Sequence, residues 1–256
     1  MKHSTGFILN GIESSTMGVI QASVEDGLFE DNFLPTRKIN EQKIRGNEKS
    51  YLFGHEYEPF SFSLTLTFEH GFTDEQAREV ARWLSTPHYV PLQFHELPRR
   101  IIYCMYEGDS KLIHNGCQQG YLQVQMRCDA PWYYSNVIES QTYDFSENTS
   151  EGSNLTFENK GDLPVLPMIT IEKIGNGDIK IVNTSNGGKE FKFTGLVDGE
   201  ILEINNEYDE IESSLKLDRY SAHNDVFLEL GGYSNSYLKV YGKCRIKFNY
   251  QMRFLF

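Results

Sequence analysis

An alternation of apolar and hydroxyl-bearing side chains between residues 60 and 68 is the clearest pattern in the chain. The apolar positions are Phe60, Phe62, Leu64, Leu66 and Phe68, and serine or threonine stands between each pair. Successive side chains of a strand point to opposite faces, so this pattern predicts a strand with one face in a core. We expect Phe62, Leu64 and Leu66 to be core anchors.

A helical period follows this strand directly. Thr73 and Gln76 have the spacing of a capping box, and Pro87 marks the end of the segment. Between them the apolar residues recur at helical intervals. We therefore predict one amphipathic helix with Val80, Trp83 and Leu84 as core anchors.

The rest of the first half is predicted to be β-structure. Asn10-Gly11 is a strong hairpin signal, and Pro131-Trp132 forms a rigid joint with Trp132 as a further anchor. Further strands are predicted at residues 7–12, 17–24, 89–94, 101–106, 112–114 and 120–128. We place a domain boundary just after the joint, which gives domains of residues 1–136 and 137–256.

The second half shows short apolar runs separated by glycine and asparagine turns, with no helical period. Regular spacing of this kind is typical of a β-sandwich. The predicted strands include residues 168–171, 190–193, 200–204, 226–230, 237–240 and 244–256. The predicted fold class is therefore mainly β: an α+β first domain, in which an antiparallel β-sandwich carries one packed helix, and a second β-sandwich.

Residues 25–56 differ from their surroundings because charges occur throughout and apolar residues are scattered. A polar stretch of this length in a compact domain is either a flexible loop or an arm that becomes ordered against a partner. The sequence leaves both interpretations open.

Composition adds limits on function. The 256 residues carry a formal net charge of −12, which argues against attraction to a nucleic-acid backbone. An acidic surface serves solubility, or else repels DNA. Since the chain shows neither a secretory leader nor an apolar run of membrane-spanning length, we expect a soluble cytosolic product with no membrane partner.

No catalytic motif is present, and we expect no enzymatic activity and no cofactor. The nearest metal constellation is Cys104, His114, Cys117 and Cys128, whose ligand types suit zinc but whose spacing is irregular. Reduced core cysteines and a turn histidine are the simpler interpretation, and we predict no metal site.

Carbohydrate binding is the one ligand activity that the residues leave open. The second half lacks tryptophan, so four tyrosines would have to stack on a sugar: Tyr220, Tyr233, Tyr237 and Tyr241. Tyrosines at such positions more often belong to the surface of the sheet.

The order of these features resembles the distal tail proteins of siphophages. In the first half the similarity lies in the Asn-Gly hairpin, the charged segment from Arg37 to Gly46, Tyr57-x-Pro59, Ala81-Arg82-Trp83-Leu84, Tyr89-x-Pro91-Leu92 and Pro131-Trp132. In the second half it lies in Leu163-Pro164-x-x-Pro167, Phe191-Lys192-Phe193 and Gly195-Leu196-Val197-x-Gly199-Glu200. The resemblance covers nearly the whole chain.

That resemblance implies a belt domain that forms a hexameric ring at the tip of the tail tube, followed by a galectin-like sandwich. The ring would join the tube to the baseplate of a phage or prophage virion made in the host cytoplasm, with DNA only passing through its channel. Implied partners are the tail tube protein, a tail-associated lysin or fibre, and receptor-binding proteins. Arg37, Lys38, Lys43 and Arg45 are our candidates for one side of the ring contact. The alternative is a carbohydrate-binding module for host polysaccharide.

Overall fold

The computed structural model describes residues 6–22, 34–116 and 119–255. The chain divides into an N-terminal unit, Met1–Tyr134 with Leu255–Phe256, and a C-terminal unit, Ser135–Phe254. Over these described residues the fold is mainly β, with antiparallel sheets and one α-helix, which confirms the predicted fold class. The division into domains after residue 136 stays a prediction.

The described part of the N-terminal unit contains one α-helix and eleven strands. The helix α1 is Asp74–Leu84. The strands are β1 Phe7–Leu9, β2 Ile12–Glu13, β3 Val19–Gln21, β4 Arg37–Gln42, β5 Tyr51–Tyr57, β6 Ser61–Phe68, β7 Val90–Phe94, β8 Ile102–Tyr106, β9 Lys111–His114, β10 Gly120–Cys128 and β11 Tyr133–Tyr134. Eight of them form one antiparallel sheet in the order β2-β1-β7-β8-β10-β6-β3, with β9 also paired to β10.

The strand and the helix that the sequence predicts are β6 and α1 of this unit. Leu64 and Leu66 are fully buried on β6, which pairs with β10 along seven residues, and Phe62 is half-buried against Phe94. On α1 the Thr73 hydroxyl accepts the Gln76 backbone amide at 3.1 Å, which is an N-cap bond. The Gln76 side chain donates to the Met17 carbonyl and ties the start of the helix to a 3₁₀ turn, Ser14–Met17.

Trp83 joins α1 to the sheet. Its ring stacks on Phe7 with centroids 5.6 Å apart, and its Nε1 donates to the Leu9 carbonyl at 3.2 Å. Val80 and Leu84 are buried beside it, at 1% and 5% exposure. Trp132 is half-buried after β10, with its ring 6.4 Å from that of Tyr134.

The C-terminal unit is built from two antiparallel sheets around one apolar core. Its strands are β12 Ile138–Glu139, β13 Tyr143–Asp144, β14 Ser153–Asn159, β15 Met168–Lys173, β16 Gly177–Asn183, β17 Lys189–Leu196, β18 Ile201–Asn205, β19 Glu210–Ser213, β20 Ser234–Tyr241, β21 Cys244–Tyr250 and β22 Arg253–Phe254. One sheet has the order β12-β21-β15-β18-β19, with β13 also on β21, and the other has the order β14-β20-β16-β17. Alternate side chains of both sheets fill the core between them.

The prediction of a strand at residues 226–230 is wrong. Leu228 and Leu230 are buried as a strand face would be, but the segment makes only an isolated bridge, from Leu230 to Val165. The Leu228 amide instead donates to the side-chain oxygen of Asn206 at 2.6 Å. The Asn206 side chain thus accepts the hydrogen bond from a backbone amide that would otherwise pair with a neighbouring strand.

A buried ion pair fixes the loop after β19. Arg219 donates from Nε and from its second terminal nitrogen to the two oxygens of Glu200, at 2.7 and 2.6 Å. The Ser213 hydroxyl and the Val197 amide also donate to this carboxylate, which has no exposed surface. Burial alone raises the pKa of Glu200, but these hydrogen bonds and the Arg219 charge together hold it below its usual range.

His223 lies in the same unit among aromatic rings. Its centroid is 4.6 Å from Phe193, 4.8 Å from Phe227 and 5.2 Å from Phe191, and the side chain is 8% exposed. Within the described residues neither ring nitrogen makes a well-formed hydrogen bond, and the Val226 backbone offers only a weak one. Burial lowers the pKa of His223 despite the opposing charges of Asp225 and Asp209.

Because His223 is buried, we expect the C-terminal unit to lose stability in acid. Below the ordinary pKa of 6.5 the unfolded chain takes up the proton before the folded chain does, so the C-terminal unit loses up to about 1.4 kcal/mol per pH unit from this residue. Urea unfolding of wild type and His223→Leu at pH 7.5 and 5.5 measures the difference. The variant should lose less stability on acidification than wild type, whereas His88→Leu, at an exposed site, should behave like wild type. Equal acid sensitivity in all three proteins would contradict the prediction.

Candidate functional site

Strands β4 and β5 form a separate two-stranded ribbon at the place where the sequence suggested a loop or an arm. Residues 25–33 of that segment lie outside the described residues. The pairing runs from Arg37 opposite Tyr57 to Gln42 opposite Tyr51. At 3.3 Å per residue, the seven residues of β5 extend about 23 Å. An isolated ribbon is marginally stable in water, which favours a partner that covers it.

One face of the ribbon is aromatic and cationic. Arg37, Ile39, His55 and Tyr57 share it, because residues directly opposite each other and two apart point the same way. The guanidinium of Arg37 lies 5.7 Å from the centre of the Tyr57 ring, and the His55 ring meets Tyr57 edge-on at 4.9 Å. These contacts hold the side chains of this face together, and the Arg37 guanidinium gives the face a positive charge.

The other face is polar. Lys38 lies directly opposite Glu56, and the Asn40 amide donates to the Glu56 carboxylate at 3.0 Å. Arg37 and Lys38 therefore point to opposite faces, although they are neighbours in sequence. Lys43 and Arg45 lie beyond the strand, in the segment that connects β4 to β5. The structure thus keeps the four predicted cations on one ribbon but does not gather them into one cluster.

All four cationic side chains are exposed. Within the described ranges none of them forms an ion pair, and Arg37 has the aromatic contact with Tyr57. Exposed, unpaired cations on a chain of net charge −12 suit a surface that carries carboxylates.

The ribbon also exposes large apolar side chains that were not among the predicted interface residues. Leu52 is 67% exposed and Phe53 is 71% exposed, and Ile39 is 60% exposed on β4. The register shifts between Asn40 and Glu41, which leaves Phe53 without a partner on β4. Such a bulge re-aims a side chain. The signal available in the sequence was Tyr51-Leu52-Phe53, an apolar triplet inside a polar stretch.

The other candidate sites are not assembled. Cys104 and Cys128 lie opposite each other, His114 pairs with Gly120 at the far end of β10, and Cys117 lies outside the described residues. Over the ranges that the structure covers, no group of three metal-ligating side chains could hold an ion. Nor does any helix there have the length and apolar character to cross a bilayer.

The four tyrosines weighed for sugar binding are divided between the two sheets of the C-terminal unit. Tyr237 and Tyr241 share the outer face of β20, with Tyr241 under the ammonium groups of Lys180 and Lys239. The Tyr220 hydroxyl accepts the Ile211 amide at the other sheet, and Tyr233 lies in the turn before β20. They do not form one stacking platform.

The described residues thus form a β-rich unit with one helix and a two-stranded ribbon, followed in the chain by a two-sheet sandwich. Residues 2–130 match the family described as phage tail protein N-terminal domain, and residues 134–250 match the phage tail C-terminal domain. The chain belongs to this family of phage tail proteins. The SPbeta prophage-derived uncharacterized protein YomH of Bacillus subtilis (strain 168) is 28% identical to it over 256 residues, the whole of both chains.

Solved structures share the fold. The Dit protein of phage SPP1, described as a paradigm of the hub adsorption apparatus in phages that infect Gram-positive bacteria, superposes with a TM-score of 0.73 at 13% identity. The match covers 96% of this chain and 98% of Dit. A chain of the phage P2 baseplate in its activated conformation gives a TM-score of 0.54 at 8% identity, covering 96% and 97% of the two chains. The predicted resemblance to distal tail proteins is confirmed.

Proposed function

We propose that this protein is the distal tail protein of a siphophage or prophage tail, a structural and non-enzymatic part of the virion. The observation that carries the proposal is the match of nearly the whole chain to the fold of a hub protein. Six copies form a ring at the tip of the tail tube, around a channel through which DNA passes. Residues 1–136 form the ring, and residues 137–256, a galectin-like domain, face the baseplate proteins.

In this proposal the protein is made in the host cytoplasm and resides at the virion tail tip. Its partners are the tail tube protein and, on the outer side, a tail-associated lysin, a fibre or receptor-binding proteins. The net charge of −12 suits a channel that DNA slides through. Host polysaccharide binding remains the alternative, with weaker support because the exposed tyrosines are dispersed.

The ribbon of β4 and β5 is our candidate for one side of the ring contact. A closed ring uses heterologous contacts, so each subunit needs two different complementary patches. The ribbon offers an apolar bulge at Phe53, and it also carries Arg37, Lys38, Lys43 and Arg45, which form no ion pair within the described residues. Apolar anchors within a polar rim are typical of protein interfaces. The opposing patch on the neighbouring copy should therefore be apolar at its centre and acidic at its border.

The ring is tested by light scattering and negative-stain microscopy of the purified full chain. We expect particles of six subunits, either for the protein alone or after mixing with the tail tube protein. A chain that stays monomeric in both cases, at every protein and salt concentration, would overturn the hexamer.

Removing the bulge residue should weaken assembly without unfolding the subunit. Phe53→Ser loses an exposed apolar anchor, and we expect about 2 kcal/mol less association free energy per contact, or roughly thirtyfold weaker association. Arg37→Glu and Arg45→Glu should weaken assembly too, with an effect that shrinks at high salt. The circular dichroism spectrum should not change, because all three side chains are exposed.

Matched controls are available on the same chain. Tyr208→Ser removes an aromatic ring of equal exposure, 71%, from the C-terminal unit, and Arg78→Glu reverses an exposed charge on α1. Both should assemble like wild type. If Phe53→Ser also assembles normally, the ribbon is not the ring contact, although the ring itself would remain possible.

A further inference from the structure

Two free cysteines face each other on neighbouring strands of the N-terminal sheet. Cys104 on β8 and Cys128 on β10 are direct register partners, and both are fully buried. Side chains directly opposite each other in an antiparallel pair lie on the same face of the sheet. The two thiols therefore share one side of the sheet and one part of the core.

The backbone hydrogen bonds define the type of pair. The Cys128 amide donates to the Phe60 carbonyl, on the β6 side, while the Asp129 amide donates to the Tyr103 carbonyl on the β8 side. Cys104 and Cys128 are thus a non-hydrogen-bonded pair, the type in which opposite Cα atoms approach to about 4.5 Å. A disulfide spans Cα separations of roughly 4.4 to 6.8 Å. Pairs of this type fall at the short end of that range, where strain makes a disulfide more easily reduced.

We propose that Cys104 and Cys128 are a modification site, at which a small disulfide oxidant such as oxidised glutathione forms a reversible cross-strand disulfide between β8 and β10. A thiolate of one cysteine attacks the oxidant, which gives a mixed disulfide and one molecule of glutathione. The second thiolate attacks the protein sulfur of that mixed disulfide and releases a second glutathione. The protein loses two hydrogen atoms and the oxidant gains them.

The folded state protects the reduced pair. Burial raises the pKa of Cys104 to about 12, with a smaller contribution from Asp129. Burial also raises the pKa of Cys128, and the adjacent Cys104 and Asp129 raise it further. Because the thiolate is the reacting species, the exchange requires a local opening that separates β8 from β10. A protein made in a reducing compartment would stay reduced there and be locked by later exposure to oxidant.

The proposed disulfide would lie where β10 ends. Cys128 is the last residue of β10, and Asp129 begins the connection to β11. A covalent bond there holds the end of β10 against β8 after the sheet has formed. Amide exchange in β8 and at the end of β10 should slow by at least about tenfold in the oxidised protein. This inference does not depend on the proposed role in the tail.

The test uses the full chain incubated with oxidised glutathione over a range of temperatures below unfolding. Remaining thiols are alkylated in denaturant, and the digested protein is read by mass spectrometry. We expect a linked peptide that contains Cys104 and Cys128, with Cys244 alkylated. Cys244 is an equally buried cysteine in the other unit, so Cys244→Ser should still form the link, whereas Cys104→Ser should not.

If β8 separates from β10 too slowly in the folded protein, the disulfide can be tested instead by refolding from urea in a glutathione redox buffer. Absence of the linked peptide after refolding, with Cys104 and Cys128 both alkylated, would overturn the proposal. A link from either residue to Cys117, or between copies of the chain, in place of the expected peptide would overturn it as well.

Discussion

Arg219→Ala is expected to destabilise the C-terminal unit by about 3–5 kcal/mol, because it leaves the Glu200 carboxylate buried with no cation. Glu200 has no exposed surface, and Arg219 supplies two hydrogen bonds and the only charge in direct contact with it within the described residues. Urea unfolding at pH 7, followed by a probe of the C-terminal unit, measures the loss.

The pH dependence separates this mechanism from simple loss of packing. In wild type the pKa of Glu200 is lowered on folding, so its contribution is complete above the ordinary carboxyl pKa and is lost as pH falls through the folded value. In Arg219→Ala burial dominates and the pKa of Glu200 should be raised. The difference in unfolding free energy between wild type and Arg219→Ala should then shrink as the pH falls toward the usual carboxyl range, because protonation removes the unpaired charge.

The matched control is Arg245→Ala. Arg245 bonds Asp144 and Glu172 at 3.2–3.4 Å, but its side chain is 43% exposed, and solvent screens exposed pairs, so this variant should lose little stability. A deficit of that small size for Arg219→Ala, without the reversed pH dependence, would show that the buried pair does not hold the loop.

Val80→Asp is expected to unfold the N-terminal unit. Val80 is 1% exposed on the face of α1 that packs on the sheet, and an unpaired carboxylate there costs more than the whole stability of a typical domain unless it protonates. Hydrogen exchange read by peptide should show loss of protection across β1, β6 and β7, with the C-terminal strands still protected.

Ala81→Asp provides the control on the same helix. Ala81 is exposed and adjacent in sequence, so this variant loses only helix propensity, roughly 0.7 kcal/mol. If Val80→Asp showed the same hydrogen-exchange protection as Ala81→Asp, the conclusion that α1 packs on the sheet through Val80 would be wrong.

Local patterns predicted the elements well where one physical requirement dominates. The hairpin turn needs positive φ at two residues, and Asn10 and Gly11 adopt 52° and 75°. The strand from residue 61 to 68 and the helix from 74 to 84 follow from their apolar periods. The segment at residues 226–230 failed the same reasoning, because a buried apolar run satisfies its core contacts in a strand or in an irregular segment alike.

The candidate site was predicted only in part. A charged arm was one of two interpretations of residues 25–56, and the structure provides the ribbon, with Arg37 and Lys38 on opposite faces. Nothing in the local sequence fixes a bulge, since the register depends on pairing along both strands. The exposed Phe53 therefore became visible only in the three-dimensional pairing.

The sequence by itself determined the mainly β character, the helix at residues 74–84 and the resemblance to phage tail proteins, because these depend on short-range periodicity and on the order of motifs. The tertiary structure alone decided which distant residues meet: Glu200 with Arg219, His223 with three phenylalanine rings, and Cys104 with Cys128. The reason is that strand pairing joins residues far apart in the chain, and their partners are set by sheet order and register, which no local pattern encodes.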